Sequence, residues 1–553
     1  MERRDFHALA NAQYDILVVG GGIHGLATAL AAARRGVSVA LIDKADFAAS
    51  TSFNHQRTAH GGLRSLQTGR LRHAREAILE RRALAGMAPR LLRPLPFLVG
   101  TYRSLVRSRL ALHAAFRIDA WLGRDRNVGV EPELHLPPAR LVSRAATLKL
   151  FPGIRQEGLT GGANWYDYQM VLANRLSLAF AEGAAAHGAR LVNYAAAIAA
   201  VKDHGKVAGM RVRDALSGEE LEVRAKLTIN AAGAHAGEIM RLFGVARELP
   251  LLKAMNLVTS KPASDMALAA RGPSGAMLTL TPWHGRAMVG TFQSARVQQP
   301  SDLAVGPEEI DAMVAAANAA FPALRLTRDE VTLVHRGIVP AQQRRDGSAA
   351  LLASPQIIDH DAEGSGGALT VVGVKYTTAR ATGAKAADAA IRRLGQPSLR
   401  PAREPIAVLP GAGIADHEAL VIETARAAGL ELSPAIVSHL TSVYGDRSAP
   451  IVRLMAERTD WRMPLVPGRP SVGAEVVHAI RHEMAITLAD IVIRRMELGA
   501  MHHPGPELAA AAARIAADEL AWPADRRARE IASIDAFYRG AGSPPSTAPP
   551  RPL

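Results

Sequence analysis

The stretch Gly20-Gly21-Gly22-Ile23-His24-Gly25 constrains this chain more than any other. It fits G-x-G-x-x-G and stands between an apolar run, Asp15 to Val19, and a segment of helical composition, Ile23 to Arg35. Gly36 stops that helix, and Val37 to Ile42 reads as a second strand. Together these form a βαβ unit of about 30 residues. Within it, Gly20 permits the tight turn out of the strand, Gly22 lets the backbone approach a pyrophosphate, and Gly25 allows close helix–strand packing. The helix start presents free N–H groups and partial positive charge to phosphate oxygens. Asp43, at the end of the second strand, can accept hydrogen bonds from an adenosine ribose. The loop therefore implies a dinucleotide, without separating NAD from FAD.

A length of 553 residues allows two or three domains. Aromatic residues are only 4% while Ala and Gly are plentiful, so the core is expected to consist of small aliphatic side chains. The net charge of +15 comes mostly from arginine and would attract phosphorylated substrates, acidic lipids or nucleic acid. No zinc-finger spacing and no basic run interleaved with aromatics occurs, which argues against nucleic acid. With no cysteine, the chain has no disulfide, cysteine nucleophile, cysteine-ligated cluster or cysteinyl–flavin link. No metal site is expected. There is no signal-peptide pattern and no run of 18 apolar residues, so the expectation is a cytoplasmic protein, soluble or peripheral on the inner face of the membrane.

Further along, Arg70 to Met87 and Arg103 to Gly123 read as helices, with Leu91 to Gly100 extended or looped between them. Gln169 to His187 reads as an Ala-rich helix. Arg190 to Val201, Val207 to Arg213 and Leu221 to Ile229 alternate like strands. Pro307 to Ala319 is helical, Val331 to Val334 and Leu369 to Val374 are strands, and Thr378 to Leu394 is a helix ended by Gly395. After a Pro-containing linker, Pro401 to Gly413, His417 to Arg539 is almost wholly helical. The expected fold is α/β: a Rossmann-type domain with an interleaved α+β substrate domain and a C-terminal all-α domain. The expected division is 12–75, 165–250 and 330–400 for the cofactor domain, 76–164 and 251–329 for the substrate or cap domain, and 405–539 for the helical domain. A Pro-rich tail, 540–553, is expected to be disordered.

Several segments choose the cofactor. Ser50-Thr51-Ser52 followed by His60-Gly61-Gly62-Leu63-Arg64 resembles the FAD-dependent glycerol-3-phosphate dehydrogenases, of the D-amino-acid oxidase-like flavoproteins. Ile229 to Gly233, Gly373 to Arg380, and Glu475 to Arg495 are similar to further segments of that family, in the same order, over roughly residues 12 to 538. The resemblance implies FAD, with Thr51 and Ser52 along the pyrophosphate and Gly61 and Gly62 against the flavin ring. Gly233, Gly373 and Thr377 would also contact the cofactor. It implies that Lys375 stabilises negative charge on reduced flavin. Arg64 would orient an anionic substrate group by bidentate hydrogen bonds. His60 is the first candidate base and His335 the second; Arg380 would order the flavin helix. The implied reaction removes a hydroxyl proton while hydride leaves the neighbouring carbon for flavin N5, with electrons passed on to quinone.

Departures from the family bear on the substrate. The run His335-Arg336-Gly337-Ile338-Val339-Pro340 carries Val339 where the family has an arginine that lines the substrate site, and Ser65 stands for a tyrosine. A neutral aliphatic holds no phosphate. The resemblance implies glycerol 3-phosphate or an analogue as substrate, while the missing arginine argues against the family's usual substrate; the alternatives are another polyol, hydroxy acid or amine, or a flavin-binding protein without turnover. An NAD-dependent dehydrogenase is a third reading, excluded by a yellow protein. Tyr102 to Leu122 mixes arginines with aliphatics, Phe116 and Trp121, which suits either an anionic membrane surface or a helix packed on the core. A homodimer is a further expectation.

Overall fold

The computed structural model describes residues 1, 3–62, 69–103, 109–344, 348–396, 406–414 and 416–539. Arg64, with Leu63 and Ser65, lies outside the described residues, as do part of the expected linker and the tail 540–553.

The βαβ unit forms as read. Strand β1 (Tyr14–Val19), helix α1 (Ile23–Ala33) and strand β2 (Val39–Ile42) come in order, and β1 pairs with β2 in parallel, Val18 opposite Leu41. Among the described residues the chain makes two sheets, of eight and ten strands. In the first, β1 is flanked in parallel by Glu220–Asn230 and then Ala368–Val372, and β2 by Arg190–Val192. Both faces of β1 are buried, as its unbroken apolar run requires. α1 is buried on nearly every side, between the helices Ala173–Ala186 and Ala379–Arg393. Its alanines make this possible: a Cβ on Gly383 would come 2.5 Å from the Ala27 carbonyl carbon. Small side chains set a short interhelical distance, which is where the Ala-rich composition is spent.

The second sheet is antiparallel except where Ala267–Arg271 pairs with Leu92–Tyr102. Leu92–Tyr102 is a full strand although it holds Pro94 and Pro96. Both prolines lie in the half paired only with Leu159–Met170, because Ala267–Arg271 reaches just Phe97 to Val99. A missing N–H is harmless on that open side.

Three expectations need correcting. The helix expected from Gln169 starts at Ala173, because Gln169 and Met170 end the long strand Leu159–Met170. Arg190 to Val201 is two strands in different orientations, Arg190–Val192 and Ala195–Asp203, with the corner at Tyr194, whose φ is +53°. Val331 opens a strand of 13 residues that runs to Gln343, well past Val334. The segment from His417 to Arg539 is the helical domain. Its helices share a core that includes Val476, Ile480, Ile491 and Ile515.

Candidate functional site

The site is assembled around the head of α1. Gly20 has φ +112°, and a Cβ there would lie 2.6 Å from the Ala231 carbonyl oxygen; a Cβ on Gly25 would overlap the Gly20 carbonyl oxygen. Gly22 caps α1, and the first helical N–H, Ile23, donates to Ser52 Oγ at 2.9 Å. At the end of β2, Asp43 accepts the Gly21 N–H at 2.6 Å and the Ala45 N–H at 2.8 Å. Burial pushes its carboxyl up to about 6. Thr51 turns its hydroxyl the other way and donates to the Ile338 carbonyl at 2.8 Å. That bond, and Gly337 pressed on Thr51, dock the strand Val331–Gln343 against the loop.

A second wall comes from His60, Gly61 and Gly62. The Gly61 N–H donates to Asp167 Oδ1 at 2.6 Å, and the His60 N–H to Thr377 Oγ1 at 3.2 Å. Asp167 is buried beneath, paired with Arg81 and accepting from Trp165 Nε1 at 3.0 Å. Gly62 has φ +75°, which a side chain would strain. The third wall follows the strand Ala368–Val372. A Cβ on Gly373 would overlap the His24 imidazole, so the two glycine segments touch through His24. Behind this wall Arg380 forms a two-pronged pair with Glu80, tying the helix Ala379–Arg393 to Leu71–Met87. Gly233 opens a turn at φ +59°, and a Cβ there would meet nothing within 4 Å.

These walls enclose a cavity of about 500 Å³, open mouth included. It brings together His60, Gly62, Lys375 and Thr377 with three residues the sequence reading missed, His24, His73 and Glu76. The spacing of His73 and Glu76, one helical turn apart, was the available signal. His73 Nε2 is 2.6 Å from Ser354 Oγ. His24 Nε2 is buried and has no hydrogen-bond partner among the described residues. Burial holds its imidazole down at about 4. His60 is exposed toward the cavity; desolvation by the surrounding walls, with Lys375 and Arg81 adding to it, lowers its imidazole below the usual value, against the pull of Asp167. Both rings are neutral at pH 7.

His335 is a correction. It does not line the cavity: it is fully buried, its Nε2 lies 3.2 Å from the Ala500 carbonyl, and its ring packs on Phe53 and Trp283. Burial, with Arg57 adding to it, pushes its imidazole down to about 3, so it has no proton-accepting role at the cavity. Arg336 points away on the alternate face, its N–H donating to Asn54 and its guanidinium to Val334. Val339 is buried with Leu252, Ala341 and Val374. Arg57, also unread, is fully buried between Phe53 and Trp283, with no hydrogen-bond partner for its three nitrogens among the described residues.

His335 carries a pH prediction. Its folded pKa is depressed, so its stabilisation is full above about 6.5 and is lost as pH falls toward 3. In urea unfolding, the stability advantage of the wild type over His335→Gln should shrink by about 2 kcal/mol from pH 7 to pH 5. An unchanged difference would contradict the neutral, buried assignment.

The glycine cradle, the loop carboxylate and the adjoining cavity, with a His24 nitrogen unpartnered among the described residues, fit an extended dinucleotide with a reactive ring at one end. They define a dinucleotide-binding protein, and its relatives identify the dinucleotide as FAD and the class as oxidoreductase. A family profile described as FAD dependent oxidoreductase matches residues 15–389, and one described as the C-terminal domain of alpha-glycerophosphate oxidase matches residues 407–527. The glycerol-3-phosphate dehydrogenase of Synechocystis is 30% identical over 510 residues, 89% of this chain and 90% of that one. That of Mycobacterium leprae is 30% identical over 534 residues, 95% and 88% of the two chains. The X-ray structure of the glycerol-3-phosphate dehydrogenase from Bacillus halodurans, complexed with FAD, superposes with a TM-score of 0.73 at 23% identity, covering 98% of both chains. The chain belongs to the FAD-dependent glycerol-3-phosphate dehydrogenase family, and it is an FAD-dependent oxidoreductase.

Proposed function

We propose that this enzyme oxidises a small hydroxylated, anionic substrate, glycerol 3-phosphate or a close analogue, in the cavity beside His60 and Lys375. The observation that carries this reading is the convergence of His60, Lys375, His24 and Gly62 on one cavity that adjoins the glycine cradle. The names of the relatives support the substrate class. FAD, when bound, supplies a hydride acceptor at N5. Asp43, Gly20, Gly22, Gly25, Ser52 and Thr51 would hold its nucleotide half, and Gly61, Gly62, Gly233, Gly373 and Thr377 its flavin half. His60, neutral at pH 7, can take the hydroxyl proton. Lys375 offsets the negative charge that arrives with the hydride. Arg64 would bind the anionic group.

The test is anaerobic stopped-flow bleaching of the flavin with glycerol 3-phosphate, glycerol, hydroxy acids and amino acids. Glycerol 3-phosphate or an anionic hydroxy compound should bleach it within seconds. Bleaching by none would overturn the reading in favour of a flavin-binding protein without turnover. The apolar Val374 in the cavity wall, packed on buried Val339, supports a second reading, an uncharged polyol substrate. Faster bleaching by glycerol than by glycerol 3-phosphate in the same panel would decide for this second reading, and the reverse order would decide against it.

The electron route to quinone would bring the enzyme to the inner face of the membrane. Among the described residues no helix is long and apolar enough to cross one. The helix Arg109–Leu122 buries Leu112, Phe116 and Leu122 but leaves Ile118 and Trp121 exposed, with Arg124 over the Trp121 ring at 5.7 Å. An arginine–tryptophan rim suits an anionic interface. Trp121→Ala should weaken flotation with phosphatidylglycerol vesicles at low salt about threefold or more; wild-type protein that stays unbound would remove the membrane from the reading.

A further inference from the structure

The C-terminal helical domain reaches into the nucleotide end of the site. The six residues Asp43 to Ala48 form a loop laced to the fingerprint turn on both sides of Gly21. Asp43 accepts the Gly21 N–H at 2.6 Å, and the Ala48 N–H donates to the Gly21 carbonyl at 2.9 Å. Phe47 fits under Gly21, 2.7 Å from where a Cβ would sit. Asp46, in the middle of the loop, is fully buried and faces the helical domain. Arg495 gripes it with two parallel bonds of 2.7 Å, Arg494 Nε adds one at 2.8 Å, and Asn193 Nδ2 one at 3.0 Å.

Both arginines are themselves fixed. Arg495 donates to the Glu483 carbonyl at 2.8 and 3.0 Å, and Arg494 pairs with Asp490, which also accepts the Tyr194 hydroxyl at 2.8 Å. They sit on a π-helical turn, Asp490–Arg495. Successive side chains on an α-helix diverge by about 100°; the wider π turn narrows that angle, and such turns cluster at functional sites. Phe47 and Ala48 of the loop border a partly open space together with Asn174, Leu178, Arg494 and Arg495. A buried ion cluster adds little net stability over apolar packing; what it supplies is a fixed geometry.

We propose that Arg494 and Arg495 are positioning residues for FAD: by clamping Asp46 they hold the Asp43–Ala48 loop in the shape that binds the adenosine ribose. This rests on the reading of Asp43 given above. The clamp makes retention of FAD depend on a docked helical domain more than 400 positions away, as the 449-residue separation of Asp46 and Arg495 shows.

The test uses the full chain stripped of flavin and titrated with FAD and with FMN, which lacks the adenosine half. Arg495→Lys keeps the charge and loses the fork. Its FAD affinity should fall about tenfold or more and its FMN affinity less than about threefold, while the flavin-free melting temperature stays near that of the wild type. A parallel loss for both flavins, or native FAD affinity, would overturn the clamp. If Arg495→Lys does not fold, Arg494→Lys, which removes a single bond to Asp46, gives the same comparison. Asp43→Ala separates the two claims. If it weakens FAD alone while Arg495→Lys binds FAD normally, the clamp falls and the ribose reading stands. If Asp43→Ala binds FAD normally, the ribose reading falls and takes the clamp with it.

Discussion

Gly25→Val should give a folded but colourless protein. The Cβ it adds would overlap the Gly20 carbonyl oxygen, which is backbone and cannot rotate away. Gly20 cannot retreat either, since its own φ of +112° and its contact with Ala231 fix the turn. The remaining way out is for α1 to move off β1, which pulls the helix start away from the phosphates it would bind. Loss of FAD affinity by about a hundredfold or more is expected from a change of this kind, equivalent to about 3 kcal/mol. The ratio of flavin to protein absorbance after gel filtration reads it directly, with circular dichroism as the check on folding. Gly36→Ala is the matched control. Gly36 has φ +78° but open space around it, so the cost is backbone strain of about 1 kcal/mol and the protein should stay yellow. A yellow Gly25→Val would mean that the fingerprint loop is not where the pyrophosphate lies.

Lys375→Met should retain FAD and lose the chemistry. Lys375 follows the strand Ala368–Val372 on the turn into the helix Ala379–Arg393 and lines the cavity with His60. Methionine keeps the length of the stem and removes the charge. Fixed groups that meet charge developing in a reaction are each worth about 100- to 1000-fold in rate. Flavin bleaching by substrate should therefore slow by about that factor, while the flavin spectrum and content stay near normal. Lys375→Arg should recover part of the rate. A Lys375→Met protein that bleaches at the wild-type rate would remove the lysine from the reaction and leave it as a wall of the cavity.

The parts of this site that were legible in the sequence are those where local chemistry dictates local structure. The fingerprint loop needs glycine at Gly20 and Gly25 whatever the rest of the chain does, and the switch from strand to helix period at Ile23 marks its place. The strand Leu159–Met170 was illegible because Trp165, Asp167 and Gln169 face neighbours in a two-sided sheet, so no clean alternation survives. With that strand unread, Asp167 was invisible too, although it is the carboxylate that holds Gly61. His335 was misread for a related reason. A histidine near a substrate-binding motif looks like a base, yet the decision between cavity and core is made by Phe53, Trp283 and Ala500, all remote in sequence. Val339 packs in a buried apolar cluster with Leu252 and Ala341, a neighbourhood its place in the motif did not reveal.

The walls of the cavity come from distant parts of the chain, and this sets a schedule for making the protein. His60 bonds Thr377, which lies 317 positions later, and Asp46 bonds Arg495, 449 positions later. At about 5–20 residues per second, a ribosome needs roughly 20–90 s to cover the longer of these gaps. During that interval the fingerprint loop is already outside the tunnel with one face of α1 uncovered and Asp46 unpaired. The bonds from Asp46 to Arg494 and Arg495 can therefore close only after the helical domain has been synthesised.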